Sequence, residues 1–234
     1  MDGQRRDRLV EQVLKCTTAS GRAELGQALS SVCVRVMPDV DGAALAFYSG
    51  SRVQELVGAS DPWAAGIEEA QYTLGEGPGL AAVAADGPVL VPDLSVDEVR
   101  WPVFAGAARG EGLAAAFFFP LRVGAMQLGT LGLYRRRPGV LPADFVFDAA
   151  LLADLISHKL LLQNEKMTGE ERIWMETSYQ DVNMATGMLA VLLRISLEDA
   201  FLRLRAHAFG AGRSVLDVAA DVLARRLPLD RLTD

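Results

Sequence analysis

The sequence predicts an α+β domain followed by a compact helical unit. Up to about residue 165, short segments typical of strands alternate with amphipathic helices, whereas only helical periodicity follows. Hairpin-connected strands mixed with helices define an antiparallel sheet flanked by helices. A length of 234 residues with 50% hydrophobic content is enough for one large domain or two modest ones.

The predicted strands and helices of the N-terminal part follow one another closely. The strands are residues 41–48, 52–58, 89–91, 112–122 and 128–135. The helices are residues 4–37 with a break near Gly21, 62–70, a short helix after the glycines of 72–86, one within 95–110, and 143–166. Gly75, Gly77 and Gly79 fit neither a P-loop nor a dinucleotide fingerprint, so we interpret them as a tight helix entry.

Three amphipathic helices are predicted between residues 179 and 227. Ser196 with Asp199, and Ser214 with Asp217, have the spacing that satisfies free amides at a helix start. Gly210 ends the second helix and Pro228 closes the third. Each apolar stripe is too narrow to stabilise a helix alone in water, so the three helices are expected to form a bundle.

The C-terminal helices resemble the ANTAR module, a three-helix RNA-binding domain of bacterial antitermination regulators. The resemblance rests on an ordered set of positions: Ala185, Gly187, Met188, Ser196, Asp199, Ala200, Leu204, Arg205, Ala206, Ala208, Val218, Ala219 and Val222. It departs from the family at Thr186, where many members carry a basic residue. The resemblance implies that residues 179–229 bind paired stem-loops in nascent messenger RNA and prevent a terminator from forming.

The candidate RNA-binding residues are polar or basic residues that lie off the apolar stripes, together with one glycine that exposes the backbone. They are Asn183, Thr186, Gly187, Arg194, Arg203, Arg205, His207 and Arg213, with Arg225 beyond them. Arginine has particular weight because it binds phosphate bidentately and stacks on unpaired bases. Arg203 lies four residues after Asp199, which equally fits an ordinary ion pair within a helix.

The N-terminal part resembles the GAF domain, a small-molecule sensor fold, over residues 8–165. The similarity lies in the order of the motifs GEGPGLAA, PVLVPDL, WPVFA, FFFPLR and LGTLGLY before a closing helix. It implies a pocket for an unidentified small-molecule ligand between the sheet and the segments near residues 63–104. The residues that could line it are Tyr72, Leu74, Trp101, Phe104, Phe117 and Phe119.

A helical connection is predicted between the two parts. Thr168 and Glu171 have the spacing of a second capping box, so a long helix is expected to begin there and to continue into the bundle. Residues 166–178 would then form a helical linker or coiled coil. Sensor domains joined by such helices commonly pair in parallel, so we expect a homodimer.

Several other classes of protein are disfavoured by the composition. Two cysteines and two histidines without ligand spacing predict neither a disulfide framework nor a metal site, and no cofactor is expected. Neighbouring carboxylates such as Glu68 and Glu69 point apart on a helix, so no enzyme is expected. No apolar run is long enough to span a membrane and no signal core opens the sequence, which predicts a cytoplasmic protein.

The net charge of −7 argues that this protein does not bind nucleic acid through its overall charge, so RNA binding would need a local basic surface. The leading hypothesis is a signal-responsive antitermination regulator. One alternative is a DNA-binding regulator, because three short helices can also form a helix-turn-helix. Another is a sensor that acts through a protein partner.

Overall fold

A five-stranded antiparallel sheet is the centre of the N-terminal part. It consists of β1 (Gly42–Ser49), β2 (Val53–Ala59), β3 (Val89–Val91), β4 (Ala115–Val123) and β5 (Met126–Arg135), in the order β2-β1-β5-β4-β3. All elements belong to a computed structural model that describes residues 3–16, 21–49, 53–85, 87–124, 126–166 and 179–227. The five predicted strands are therefore confirmed, with ends shifted by up to three residues.

Helices cover both faces of the sheet. One face packs against α1 (Gly3–Leu14), α2 (Arg22–Val36) and α6 (Ala143–Lys166), and the other packs against α3 (Pro62–Leu74), α4 (Pro78–Ala84) and α5 (Pro102–Gly110). We call these strands and helices the sheet domain. The helix predicted over residues 143–166 is confirmed with its bounds, and the break predicted near Gly21 separates α1 from α2.

The helix α3 extends one turn beyond its predicted end. It begins where the Asp61 carboxylate accepts a hydrogen bond from the Ala64 amide at 2.9 Å, with Pro62 in the first turn. It ends at Gly75, whose φ of 70° is left-handed, and the Gly75 amide donates to the Gln71 carbonyl. The extra turn places Tyr72 and Thr73 on the surface of the sheet domain that faces the rest of the chain.

Three helices follow after the described part of α6: α7 (Gln180–Leu193), α8 (Leu197–Gly210) and α9 (Val215–Leu223). Ser196 and Ser214 accept hydrogen bonds from the Asp199 and Asp217 amides at 3.0 and 3.1 Å, as their spacing predicts. These C-terminal helices share one apolar cluster, formed by Val182, Ala185, Leu189, Ala200, Leu204, Ala208, Val215, Val218, Ala219 and Val222. The cluster also includes Tyr72 of α3.

The helical linker predicted between the two parts of the chain falls mostly on residues that the structure does not describe. The capping box at Thr168 and almost all of the predicted linker at 166–178 lie outside the described residues. Within the described ranges, none of the helices has the length and apolar character that crossing a membrane requires.

Candidate nucleic-acid interface

One side of α7 presents three of the candidate RNA-binding residues. Asn183, Gly187 and Arg194 are four and seven residues apart, so a helical period of about 3.6 places them along one strip. The Asn183 and Arg194 side chains are exposed, and a Cβ at Gly187 would meet no atom within 4 Å. The strip therefore offers an amide, bare backbone and a guanidinium to an external ligand.

Arg194 has a backbone conformation that is uncommon for its residue type. It ends α7 at φ 55° and ψ 45°, and its amide donates to the Ala190 carbonyl. The cap turns the chain sharply into Ile195 and α8. Arg194 therefore lies just beyond the last helical residue of α7, with its side chain exposed.

The candidate Thr186 is buried within α7. Its side chain is 8% exposed, and its hydroxyl donates to the Val182 carbonyl at 2.7 Å. Thr186 follows the buried Ala185 and does not belong to the exposed strip.

The remaining candidates lie around α8 and the turn that follows it. Arg203 and His207 are half-buried and share a side of α8, because they are four residues apart. Arg213 pairs with Asp221 of α9 at 2.8 Å between Nη1 and Oδ2, and its hydrogen bond, together with that of Arg226, holds the Asp221 pKa below its usual value.

Arg205 points the other way, against the sheet domain. Its Nε donates to the Thr73 carbonyl of α3 at 2.9 Å, and its guanidinium carbon lies 5.5 Å from the centre of the Phe201 ring. Burial lowers the pKa of Arg205, while the nearby Tyr72 acts in the opposite direction. Arg205, which is both a candidate RNA-binding residue and a position of the ANTAR resemblance, is therefore hydrogen-bonded to α3.

The last turn of α3 contacts all three C-terminal helices. Tyr72 stacks on Tyr179, the residue that precedes α7, with ring centres 4.2 Å apart and planes within 7°. Thr73 accepts from Arg205 of α8 through its carbonyl, and from the Val215 amide of α9 through its hydroxyl at 3.2 Å. Nothing in the sequence pattern links these positions, which are more than a hundred residues apart.

The six residues predicted to line a ligand pocket are dispersed. Trp101 and Phe104 lie in the cluster between the sheet and α3, on the predicted side, whereas Tyr72 belongs to the C-terminal cluster. Leu74 is half-buried and lines the cleft described below. Phe117 and Phe119 lie on the opposite face of the sheet from the predicted pocket, packed with α1, α2 and α6. The intervening Phe118 occupies the α3 side.

A buried polar cluster lies between the sheet and α3, and no pattern in the sequence indicates it. Tyr134 of β5 donates a hydrogen bond to the Glu68 carboxylate, and both side chains are fully buried. Burial raises the pKa of Tyr134 and Tyr48 well above the usual tyrosine value, and the charge of Glu68 acts in the same direction. Gln71 adjoins this cluster and accepts a hydrogen bond from the Gly79 amide at 2.7 Å.

An open cleft of about 850 Å³ separates α3 and α5 from the turn between α8 and α9. Apolar side chains including Trp63, Leu74 and Phe209 line it, together with the carboxylates of Glu69 and Asp217. The contact between the sheet domain and the C-terminal helices is therefore incomplete, and it includes the end of α3 and Leu56 of β2.

Two solved structures have the fold of the sheet domain. The GAF domain from an Acinetobacter phosphoenolpyruvate-protein phosphotransferase aligns with a TM-score of 0.55 at 13% identity, covering 72% of this chain and 99% of that one. The corresponding GAF domain from Coxiella burnetii gives 0.54 at 14% identity, covering 71% and 98%. No protein-family model matches the sequence, and no curated protein does.

These alignments define the class of fold. The antiparallel sheet with helices on both faces is a GAF-like fold, as the N-terminal resemblance predicts. Each aligned structure is a GAF domain alone, so the ANTAR resemblance of the C-terminal helices stays a prediction.

Proposed function

We propose that this protein is a non-enzymatic regulator that senses a signal through its GAF-like domain and binds RNA through its C-terminal helices. The RNA is a pair of stem-loops in a nascent transcript, and binding prevents a terminator from forming. The C-terminal helices act as an ANTAR-type three-helix bundle. The proposal combines the GAF-like fold with the ordered ANTAR resemblance of residues 179–227.

One observation carries the proposal. Seven apolar positions of the ANTAR resemblance are buried in one cluster, while on α7 and at its end Asn183 and Arg194 are exposed and Gly187 is half-buried. The seven are Ala185, Ala200, Leu204, Ala208, Val218, Ala219 and Val222. Amide groups can hydrogen-bond the edges of unpaired bases, and arginine can bind phosphate or stack on a base. Bare backbone at Gly187 allows a nucleotide to approach the helix closely.

The low positive charge of the C-terminal helices is compatible with binding through two copies. When two linked modules each bind one loop weakly, the first contact raises the effective concentration of the second module. The overall affinity therefore increases without any additional contact. We therefore propose that the working form is a homodimer and that its binding is strongest to tandem stem-loops. Sedimentation equilibrium of the purified chain is expected to give twice the mass of the monomer.

The direct test is fluorescence anisotropy with a labelled tandem hairpin, a matched single hairpin and a DNA duplex. Arg194→Gly removes the guanidinium while keeping a residue suited to the left-handed cap, and it is expected to weaken tandem binding about tenfold and to lower the salt dependence. Arg137→Ala, an exposed arginine after β5, is the charge-matched control and should have no effect.

Three results would contradict the proposal. Equal affinity for all three nucleic acids would show unspecific charge attraction, and equal losses in Arg194→Gly and Arg137→Ala would place the contact elsewhere. Preference for the duplex would favour the DNA-binding alternative. That alternative has little support in the geometry, because Asp217 and Asp221 lie on the side of α9 away from the apolar cluster.

A further inference from the structure

The helix α3 belongs to two environments at once. Its inner side is part of the sheet domain, where Glu68 accepts from Tyr134 and Gln71 accepts from Gly79. Its last turn carries Tyr72 into the apolar cluster of the C-terminal helices. Any movement of α3 within the sheet domain would therefore also move the surface on which the C-terminal helices rest.

The Thr73 carbonyl oxygen, which accepts the hydrogen bond from Arg205, is the same kind of acceptor as an RNA phosphate oxygen. The last carbonyls of a helix have no partner within the helix and carry a partial negative charge. Arg205 donates to one of them, as arginines near helix ends commonly do. A phosphate oxygen is the same kind of acceptor, so the Arg205 Nε cannot serve Thr73 and an RNA phosphate together.

Gly75 makes this contact sterically feasible. A Cβ at position 75 would overlap the guanidinium of Arg205, and the left-handed φ of 70° favours glycine as well. The turn therefore combines a helix cap with an opening for a side chain from α8. The hydrogen bond from Val215 to the Thr73 hydroxyl anchors α9 at the same place.

We propose that the last turn of α3 holds the C-terminal helices in a closed arrangement, and that RNA competes with α3 for Arg205. The inference rests on the proposed RNA-binding function and names the regulation of that site. The closed state leaves the α7 strip exposed but withholds Arg205, so it binds RNA weakly. A signal that shifts α3 releases Arg205, and the apparent affinity rises with the fraction of open molecules.

Gly75→Ala tests the competition without altering any residue of the C-terminal helices. The new methyl group displaces the guanidinium, so affinity for the tandem hairpin should rise about tenfold. Gly124→Ala is the matched control, because Gly124 has a similar φ of 59° in open space, and its RNA affinity should equal that of the original chain. Adding Arg205→Ala to Gly75→Ala should abolish the gain.

A second variant and a second measurement make the test independent of Gly75. Thr73→Val keeps the side-chain volume but removes the acceptor of the Val215 amide, so it should also raise RNA affinity. Hydrogen exchange at the Val215 amide should accelerate in both variants and stay unchanged in Gly124→Ala. Circular dichroism spectra that match the original chain establish that the variants fold.

The outcomes separate this inference from the proposed function. Faster exchange at Val215 with unchanged RNA affinity would overturn the competition while leaving RNA binding intact. Unchanged exchange and unchanged affinity in both variants would overturn the closed state itself. If neither the original chain nor the opened variants bind the tandem hairpin, the proposed function is wrong and the inference fails with it.

Discussion

The stacked pair of Tyr72 and Tyr179 is expected to couple the sheet domain to the C-terminal helices energetically. The rings are 5% and 1% exposed, and their centres are 4.2 Å apart in nearly parallel planes. Replacement of either tyrosine by leucine keeps much of the apolar burial, so each single change should lower the free energy of unfolding by about 1–3 kcal/mol. An aromatic pair contributes about 0.5–1.5 kcal/mol beyond its buried area.

A double-mutant cycle measures that coupling. Because the second substitution has no stack left to break, Tyr72→Leu with Tyr179→Leu should cost about 0.5–1.5 kcal/mol less than the sum of the two single changes. Urea denaturation followed by far-UV circular dichroism gives the four free energies. The control cycle pairs Tyr72→Leu with Leu9→Ala in the cluster on the opposite face of the sheet, where additivity is expected. Additivity within about 0.3 kcal/mol for the tyrosine pair would refute the stacked contact.

Three further predictions follow from burial. Tyr179→Phe should preserve or raise the melting temperature, because the buried Tyr179 hydroxyl has no hydrogen-bond partner among the described residues; a fall of several degrees would contradict this. Gly26→Ala should cost several kcal/mol in urea denaturation, since its Cβ would overlap the Val57 carbonyl, whereas Gly106→Ala in open space should not. Burial raises the pKa of Cys33 from 9.0 to about 12, so the unfolded chain releases this proton first. The free energy of unfolding should therefore fall between about pH 9 and 12, and Cys33→Ala should reduce that slope.

The sequence predicted most of the fold because its elements have local causes. The serine caps of α8 and α9, the hairpin turns and the long helix α6 are each encoded by neighbouring residues. The extent of α3 was underestimated, since its end depends on Gly75 as a left-handed cap rather than on the apolar pattern. Neighbouring residues therefore predict which segments form helices and strands more accurately than they predict where those segments end.

The candidate site was predicted only in part. The run Phe117–Phe119 lies in a strand that is buried on both faces, so alternation cannot indicate which side each ring faces. Thr186 was chosen for its polarity, yet its hydroxyl is satisfied within α7. The contact between Arg205 and Thr73 joins residues 132 positions apart, and no local pattern could reveal it.

Photocrosslinking tests the central claim most directly. A tandem hairpin carrying 4-thiouridine in its loops would be irradiated with the full chain, and the crosslinked peptides identified by mass spectrometry. We expect crosslinks on α7 between Asn183 and Arg194, together with crosslinks on the peptide that contains Arg205 in the Gly75→Ala variant. Crosslinks confined to the sheet domain would contradict RNA recognition by the C-terminal helices.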